Sequence, residues 1–192
     1  MARSKEFEVN AVLDKAMMLF WEQGYEKTSM SDLVKHMGIH RRSMYDTFGD
    51  KHSLFLQAMD RYINKVEVTL TGEVKQSKTA TEALQIIFRF MVLDEEGSPS
   101  GCLMVNSVTE LAARDGDVDT RSIESFAITE QMFEQIILWG QRDGEFTSDY
   151  EAKELAEYLH AISVGIRVMG RSTIDKEKLF RIVNVSSKLL QG

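Results

Sequence analysis

Residues 28–52 read TSMSDLVKHMGIHRRSMYDTFGDKH, and this stretch predicts two short helices joined at a glycine. Ser29 followed by Asp32 is a helix-start signal, because a serine hydroxyl accepts the free amides of a first helical turn. Gly38 ends that helix, and a second helix is expected over 41–47, before the next glycine. Such a helix-turn-helix is suited to placing its second helix in the ~12 Å major groove of DNA.

The second short helix has two chemically different faces, since successive residues of an α-helix are ~100° apart. One face is expected to pack against the preceding helices, and it carries Met44, Thr47 and Phe48. The opposite face suits phosphates and guanine edges, and it carries Arg41, Arg42, Tyr45 and Asp46. Lys51 and His52 at the start of the next helix, and the amides near Thr28 and Ser29, are further expected phosphate contacts. The pattern alone leaves one alternative open, a small helical subdomain with a mixed-charge surface.

Residues 16–54 resemble the N-terminal signature of TetR-family regulators of bacterial transcription. The similarity lies in AMMLFWEQGYEKTSMSDL at 16–33 and in GIHRRSMYDTFGDKHSL at 38–54. It implies an all-α protein with a three-helix DNA-binding domain at 1–52 and a larger helical ligand-binding and dimerisation domain at 53–192. By matching position it also implies DNA contacts from Thr28, Ser29, His40, Arg41, Arg42, Ser43, Tyr45, Asp46, Thr47 and Lys51.

The resemblance further implies a homodimeric repressor that a small-molecule inducer releases from a palindromic operator. His40 replaces a residue that is often small in this family, and Arg42-Ser43 replaces a frequent Gly-Thr pair. The operator sequence therefore does not carry over from a relative.

Charge and composition fit this expectation. The net charge is −7, but residues 1–52 contain eight basic and eight acidic residues, so the whole excess lies in residues 53–192. Such a chain can contact DNA through its N-terminal segment, which is neutral overall and carries local clusters of basic residues. No stretch approaches the ~20 apolar residues of a membrane span, the first residues do not form a secretory signal, and one cysteine excludes an intrachain disulfide. We expect a cytoplasmic protein without a cofactor or metal.

Helical spacing continues beyond residue 75, and strand-like alternation is absent. Thr79 and Glu82 predict a helix start, 94–100 predicts a loop, and further helices are expected near 101–114, 118–142, 149–171 and 175–190. The last two helices carry apolar stripes that face either the chain's own core or a second copy. Because the family pairs these helices into a four-helix bundle, we predict a dimer interface formed by Leu155, Leu159, Ile162, Ile166, Met169, Leu179, Ile182 and Ser186.

Apolar and aromatic side chains dominate the middle helices, where the resemblance implies an inducer pocket. Its expected lining is Phe88, Met91, Cys102, Met104, Asn106, Met132, Ile136 and Trp139, although core packing is the alternative for each. Cys102, near a helix start, suggests either a thiol-based sensor or a small buried apolar residue.

Two other classes of protein are less well supported. An enzyme would need a catalytic motif, but Glu157 and His160 form a single half of a di-iron pattern, and no P-loop, nucleophile elbow or dinucleotide fingerprint is present. A helical interaction module that does not bind DNA is the remaining alternative, and it would lack the steep salt dependence of a DNA-binding protein.

Overall fold

The computed structural model describes residues 2–93 and 97–191, with side chains from residue 9 onwards. Those residues form α-helices joined by short connections and contain no strand, which confirms the all-α prediction. The helices are α1 (Ala2–Gln23), α2 (Met30–Met37), α3 (Arg41–Phe48), α4 (Lys51–Val74), α5 (Ala80–Val92), α6 (Leu103–Ser107), α7 (Gly116–Asp143), α8 (Ala152–Gly170) and α9 (Lys176–Leu190). A π-helical turn, Val108–Ala112, follows α6 directly.

The helix boundaries follow local signals in the sequence. The Ser29 hydroxyl accepts the Asp32 amide while the Asp32 carboxylate accepts the Ser29 amide, which is the predicted capping box of α2. Gly38 closes α2 in the left-handed conformation, with φ 72°. The hydroxyl of Thr79 caps α5, whereas α8 starts at Glu151. Of the loop predicted at 94–100, residues 97–100 are described, and residues 94–96 lie outside the described part of the chain.

Two buried clusters hold the described part of the chain together. The N-terminal cluster joins α1, α2 and α3 to the first half of α4, and its fully buried side chains include Phe20, Leu33, Met44 and Phe55. The C-terminal cluster joins α5, α7, α8 and α9 around Phe88 and Phe133, whose ring centroids lie 5.8 Å apart. Because α4 contributes Leu54, Phe55 and Met59 to the first cluster and Leu70 to the second, it belongs physically to both halves. The boundary at residue 52 therefore stays a prediction.

No helix in the described part of the chain is long and apolar enough to cross a membrane.

Candidate nucleic-acid interface and effector cavity

The recognition helix α3 is fixed by two side chains and exposes the others. Met44 and Phe48 are buried in the N-terminal cluster, at 0% and 3% exposure. Arg41, Arg42, Tyr45 and Asp46 are exposed, as the helical spacing predicted. One apolar edge therefore anchors the helix and the polar remainder faces solvent.

The exposed face of α3 is electrostatically mixed. Arg42 lies 3.7 Å from Asp46 one turn away, and the Arg42 side chain is 93% exposed. The guanidinium carbon of Arg41 lies 5.8 Å from the centre of the Tyr45 ring. Both contacts lie at the surface and are worth little in water, so both arginines remain free to exchange them for phosphates or base edges.

The structure corrects two assignments around α3. Thr47 was expected to pack beside Met44 and Phe48, but it is exposed, and this placement suits the DNA contact that the resemblance implies. Thr28 is fully buried, its hydroxyl donates to the Gly24 carbonyl at 2.6 Å and its amide donates to the Tyr25 carbonyl at 3.2 Å, so neither group is free for the predicted contact with DNA.

The remaining predicted contact residues differ in whether their side chains are already engaged in contacts within the protein. His40 occupies the N-cap position of α3 without a side-chain cap bond, and both His40 and Ser43 are exposed. The hydroxyl and amide of Ser29 are both engaged with Asp32. The Lys51 ammonium lies 4.2 Å from the centre of the Tyr25 ring, which orients it at the start of α4.

His52 does not point toward the expected phosphate position, because it bonds to the C-terminal half of the chain. Its Nε2 lies 2.8 Å from Asp115 Oδ2, and the other Asp115 oxygen caps α7 by accepting the Val118 amide. Burial raises the pKa of Asp115, but the Val118 amide and the imidazole of His52 outweigh burial and lower it. His52, Asp115 and Asp117 place ligand atoms within 4.8 Å of one another, so these three are the described residues that could hold a metal ion, although the contacts seen are those of a helix cap.

Two further side chains, which the sequence did not single out, bind the C-terminal half to α1. The Glu110 carboxylate, on the π-helical turn, accepts the amides of Tyr25 and Glu26 at 3.0 and 2.8 Å. Arg171, at the end of α8, donates to the carbonyls of Trp21 and Glu22 at 3.0 and 2.8 Å. Glu110 thus satisfies free amides of the α1–α2 turn, and Arg171 satisfies free carbonyls at the end of α1.

A cavity lies between α4, α5, α6, α7 and α8, and we call it the inner cavity. Its empty volume is about 780 Å³, a figure that includes open solvent at its mouth. Met91, Cys102, Met104 and Met132 line it as predicted. The lining also includes Phe90 on α5, which the sequence analysis passed over in favour of its neighbour Phe88, and Tyr62, His160 and Arg167, which it missed because they come from α4 and α8.

The other four predicted lining residues do not line the inner cavity, and those assignments are wrong. Phe88 and Ile136 are buried in the C-terminal cluster. The Trp139 indole donates to Asp143 one turn along α7, at 2.7 Å. Asn106 lies beside a shallow depression near Glu110 and Arg171.

A second, outer cavity lies beside the inner one, between α1, α4, α5 and the segment 98–101. Tyr62, Val66, Phe90 and Arg167 line both, so the two cavities meet at these side chains. Tyr62 is 5% exposed and its hydroxyl donates to Cys102 Sγ at 3.3 Å. Burial raises the pKa of Tyr62 well above its ordinary value, so the phenol is neutral and acts as a donor.

The predicted dimer stripe is mostly internal to the chain. Leu155, Leu159, Ile166, Leu179 and Ser186 are at most 9% exposed in the single chain, so their assignment to a surface between copies is wrong. The other three predicted interface residues, Ile162, Met169 and Ile182, are half-buried, so part of each side chain remains exposed to solvent. The exposed apolar side chains on these helices lie on another face: Tyr158 and Val168 on α8, and Val185 and Leu189 on α9.

His160 also has a different partner from the one that a metal motif would give it. Its Nδ1 lies 2.7 Å from Glu130 Oε1 on α7, whereas Glu157 is exposed. His160 therefore joins α8 to α7 at the cavity wall.

A short helix anchored by Met44 and Phe48, which presents two arginines and a tyrosine to solvent after a glycine turn, is the arrangement typical of a helix-turn-helix transcriptional regulator.

Comparison with known proteins places this regulator more closely. A family model described as "Bacterial regulatory proteins, tetR family" matches residues 12–58, and one described as "Tetracyclin repressor-like, C-terminal domain" matches residues 80–185. The chain therefore belongs to the TetR family, whose members are DNA-binding transcriptional regulators, and the resemblance noted in the sequence is confirmed.

Similar proteins extend over almost the whole chain. The HTH-type transcriptional repressor ComR of Escherichia coli (strain K12) is 32% identical over 97% of this chain and 90% of its own length. The HTH-type transcriptional regulator YezE of Bacillus subtilis (strain 168) is 31% identical over 99% of this chain and 100% of its own. The solved structure of a cysteine mutant of the TetR-family regulator CifR, bound to 26-bp double-strand operator DNA, superposes with a TM-score of 0.82, at 25% identity and over 94% and 95% of the two chains.

Proposed function

We propose that this protein is a homodimeric repressor that binds a palindromic operator through α3 and is released by a small molecule in the inner cavity. The observation that carries the proposal is the exposed polar face of α3, which Met44 and Phe48 hold in place. The repressor ComR and the operator complex of CifR support the same activity. A protein that acts on bacterial DNA works in the cytoplasm, and we propose that location.

The DNA-contacting residues follow from exposure and chemistry. We assign base or phosphate contacts to Arg41, Arg42 and Tyr45, with His40, Ser43, Asp46 and Thr47 beside them on the same exposed helix. Lys51 is assigned to the phosphate backbone, and Ser29 positions the start of α2.

The partner is a second copy of this chain. Tyr158, Val168, Val185 and Leu189 present apolar surface on α8 and α9, from 38% to 60% exposed. Exposed apolar side chains on two neighbouring surface helices favour an interaction site there. A two-fold dimer places two copies of α3 about one helical turn of DNA apart, ~34–36 Å, and so matches a palindromic operator.

Selection of binding sites from random DNA, followed by gel-shift titration at several salt concentrations, tests the proposal. We expect a palindromic site and a steep fall in affinity as salt rises, since several phosphates are contacted. Arg42→Ala and Tyr45→Ala should abolish operator binding without changing the melting temperature, whereas Arg142→Ala, on α7, serves as the matched control. Normal operator affinity in both α3 variants would exclude α3 as the recognition helix.

A thiol-responsive release is a second candidate, because Cys102 lines the inner cavity and accepts a hydrogen bond from Tyr62. An alkyl halide that enters the cavity would meet this sulfur: its carbon would bond to Sγ, the carbon–halogen bond would break with release of the halide, and the thiol proton would go to water. Alkylation of Cys102 by iodoacetamide near neutral pH, followed by operator titration, tests this candidate. An alkylation rate no faster than that of a free cysteine, or unchanged operator affinity after alkylation, would contradict it.

A further inference from the structure

The inner and outer cavities meet at Arg167, which has no ion-pair partner among the residues that the structure describes. Arg167 is half-buried on α8, and its Nη1 donates to the Gly101 carbonyl at a long 3.3 Å. Its guanidinium carbon lies 5.0 Å from the centre of the Phe90 ring. Within residues 9–93 and 97–191, no carboxylate lies at ion-pair distance from this guanidinium. An arginine has five N–H donors, so most of them are available to a ligand.

A second donor belongs to the wall of the outer cavity. The indole Nε1 of Trp21 is buried and has no hydrogen-bond partner among the described residues, and Trp21 lines the outer cavity together with Arg167. The Trp21 ring meets the Tyr62 ring edge-on, with centroids 5.0 Å apart. A buried donor left unsatisfied costs free energy, so an acceptor in the outer cavity would be stabilised there.

The rest of the inner cavity is mostly apolar. Leu70, Ile87, Met91, Met132 and Phe133 contribute its wall. The other charged lining groups do not compete with Arg167 for an anion: His160 is bonded to Glu130, and Glu67 is exposed on α4. Lys65, in the outer cavity, is paired with Asp14 at 2.8 Å. The two cavities therefore combine an apolar space with a cationic, donor-rich end.

We propose that the effector is an amphipathic monocarboxylate, with its apolar body in the inner cavity and its carboxylate at Arg167 and the Trp21 indole. The regulatory role of this ligand rests on the proposed function, whereas its chemical class rests on the two cavities alone. A carboxylate has two oxygens for the guanidinium fork and the indole N–H, and charge-assisted hydrogen bonds of this kind are the strong ones. Because Trp21 belongs to α1, such a ligand touches the DNA-binding half of the chain directly.

Tryptophan fluorescence gives a direct test. The chain has two tryptophans, so Trp139→Phe leaves Trp21 as the reporter. Octanoate is titrated against octanamide, which has the same chain length without the charge, at fixed pH and salt. We expect a saturable change of Trp21 emission with octanoate and about tenfold to hundredfold weaker binding of octanamide, as the loss of a charge-assisted contact predicts.

Variants at the guanidinium complete the test. Arg167→Met should weaken octanoate about tenfold or more and leave octanamide unchanged, whereas Arg167→Lys should retain part of the preference for the charged ligand. Arg89→Met, on the exposed side of α5, is the matched control and should change neither titration. Equal binding of amide and carboxylate, unchanged octanoate affinity in a folded Arg167→Met, or no saturable response to monocarboxylates of four to twelve carbons would each overturn the proposal.

Operator release is measured separately, by fluorescence anisotropy of a labelled operator. If octanoate binds beside Trp21 but operator affinity does not change, the ligand class stands and induction through this cavity fails. If random-sequence selection yields no operator, the proposed function fails, and the Trp21 titration still decides the ligand class.

Discussion

Removing the Glu110 carboxylate should loosen the contact between the two halves of the chain by a measurable amount. Glu110 accepts the amides of Tyr25 and Glu26, and hydrogen bonds to a charged group contribute about 1.5–3 kcal/mol each when buried. We call these two hydrogen bonds from the Tyr25 and Glu26 amides the Glu110 clamp. Because the clamp is partly exposed, we expect the low end of that range, about 2–3 kcal/mol in total for Glu110→Ala. At a slope of about 2 kcal/mol per molar urea, the midpoint of unfolding should fall by about 1 M.

The neighbouring Gly24 makes the test specific to the clamp. Gly24 has φ +82°, and an added Cβ would lie 2.8 Å from Glu110 Oε2. The carboxylate would have to move, and it would then lose both amides. Gly24→Ala should therefore cost about 1–2 kcal/mol for its left-handed backbone plus most of the clamp. Gly144→Ala is the matched control, because it has φ +77° with open space around the added carbon, and so it should cost the backbone strain alone.

Urea unfolding of the two single variants and of the double variant, at one protein concentration, measures the coupling. The clamp is lost only once in the double variant, so its cost should fall short of the sum of the singles by about 2 kcal/mol. Additivity within about 0.5 kcal/mol, or equal costs for Gly24→Ala and Gly144→Ala, would refute the reasoning.

Three further predictions concern the anchor of α3, an ion pair and the dimer. Phe48→Ala should lower the free energy of unfolding by about 3–5 kcal/mol and weaken operator binding, as urea unfolding and gel shifts would show; unchanged stability would contradict the anchoring role. Burial raises the pKa of Asp14, but hydrogen bonds from Arg61 and Lys65 outweigh burial and lower it below the ordinary 3.8. The pair therefore stabilises above about pH 4 and is lost as pH falls through the lowered pKa, so Asp14→Asn should cost about 1 kcal/mol at pH 7 and progressively less as pH falls through that pKa; a pH-independent difference in melting would argue against this. Val185→Glu should yield a monomer in sedimentation, whereas Asn184→Glu beside it should remain a dimer, and a dimeric Val185→Glu would move the interface elsewhere.

Local signals predicted the fold well because they act within a few residues. The cap at Ser29 and the glycines at 38 and 49 end or begin helices through their own backbone and side-chain geometry, and each boundary lies within about one residue of its expected place. The faces of α3 followed from helical spacing for the same reason. Thr47 is the exception, since it lies at the edge of the buried arc, where angle alone does not decide exposure.

Contacts between distant segments were not predictable in this way. The α8 stripe through Leu159 and Ile166 showed that one face is apolar, but not whether it packs against the same chain or a second copy. The cavity was half found because its α5, α6 and α7 residues share a recognisable composition. Arg167 was missed because one arginine on an amphipathic helix is ordinary until the fold places it beside Phe90, in the wall of the cavity that Trp21 also lines.

The chain between the cavity and the DNA-binding half is short, and this favours a mechanical route for release. Cys102 and Met104 line the inner cavity, Glu110 holds the α1–α2 turn, and Asp115 holds His52, all within fourteen consecutive residues. A ligand that displaces α6 would move the π-helical turn after it, and close-packed contacts of this kind switch between discrete arrangements rather than stretch. Cavity substitutions should therefore change the ligand response and leave operator affinity intact, whereas loss of the Glu110 clamp should uncouple ligand binding from release. A Glu110→Ala variant that binds ligand and operator and still couples them normally would place the route elsewhere, with Arg171 at the end of α8 as the next contact to remove.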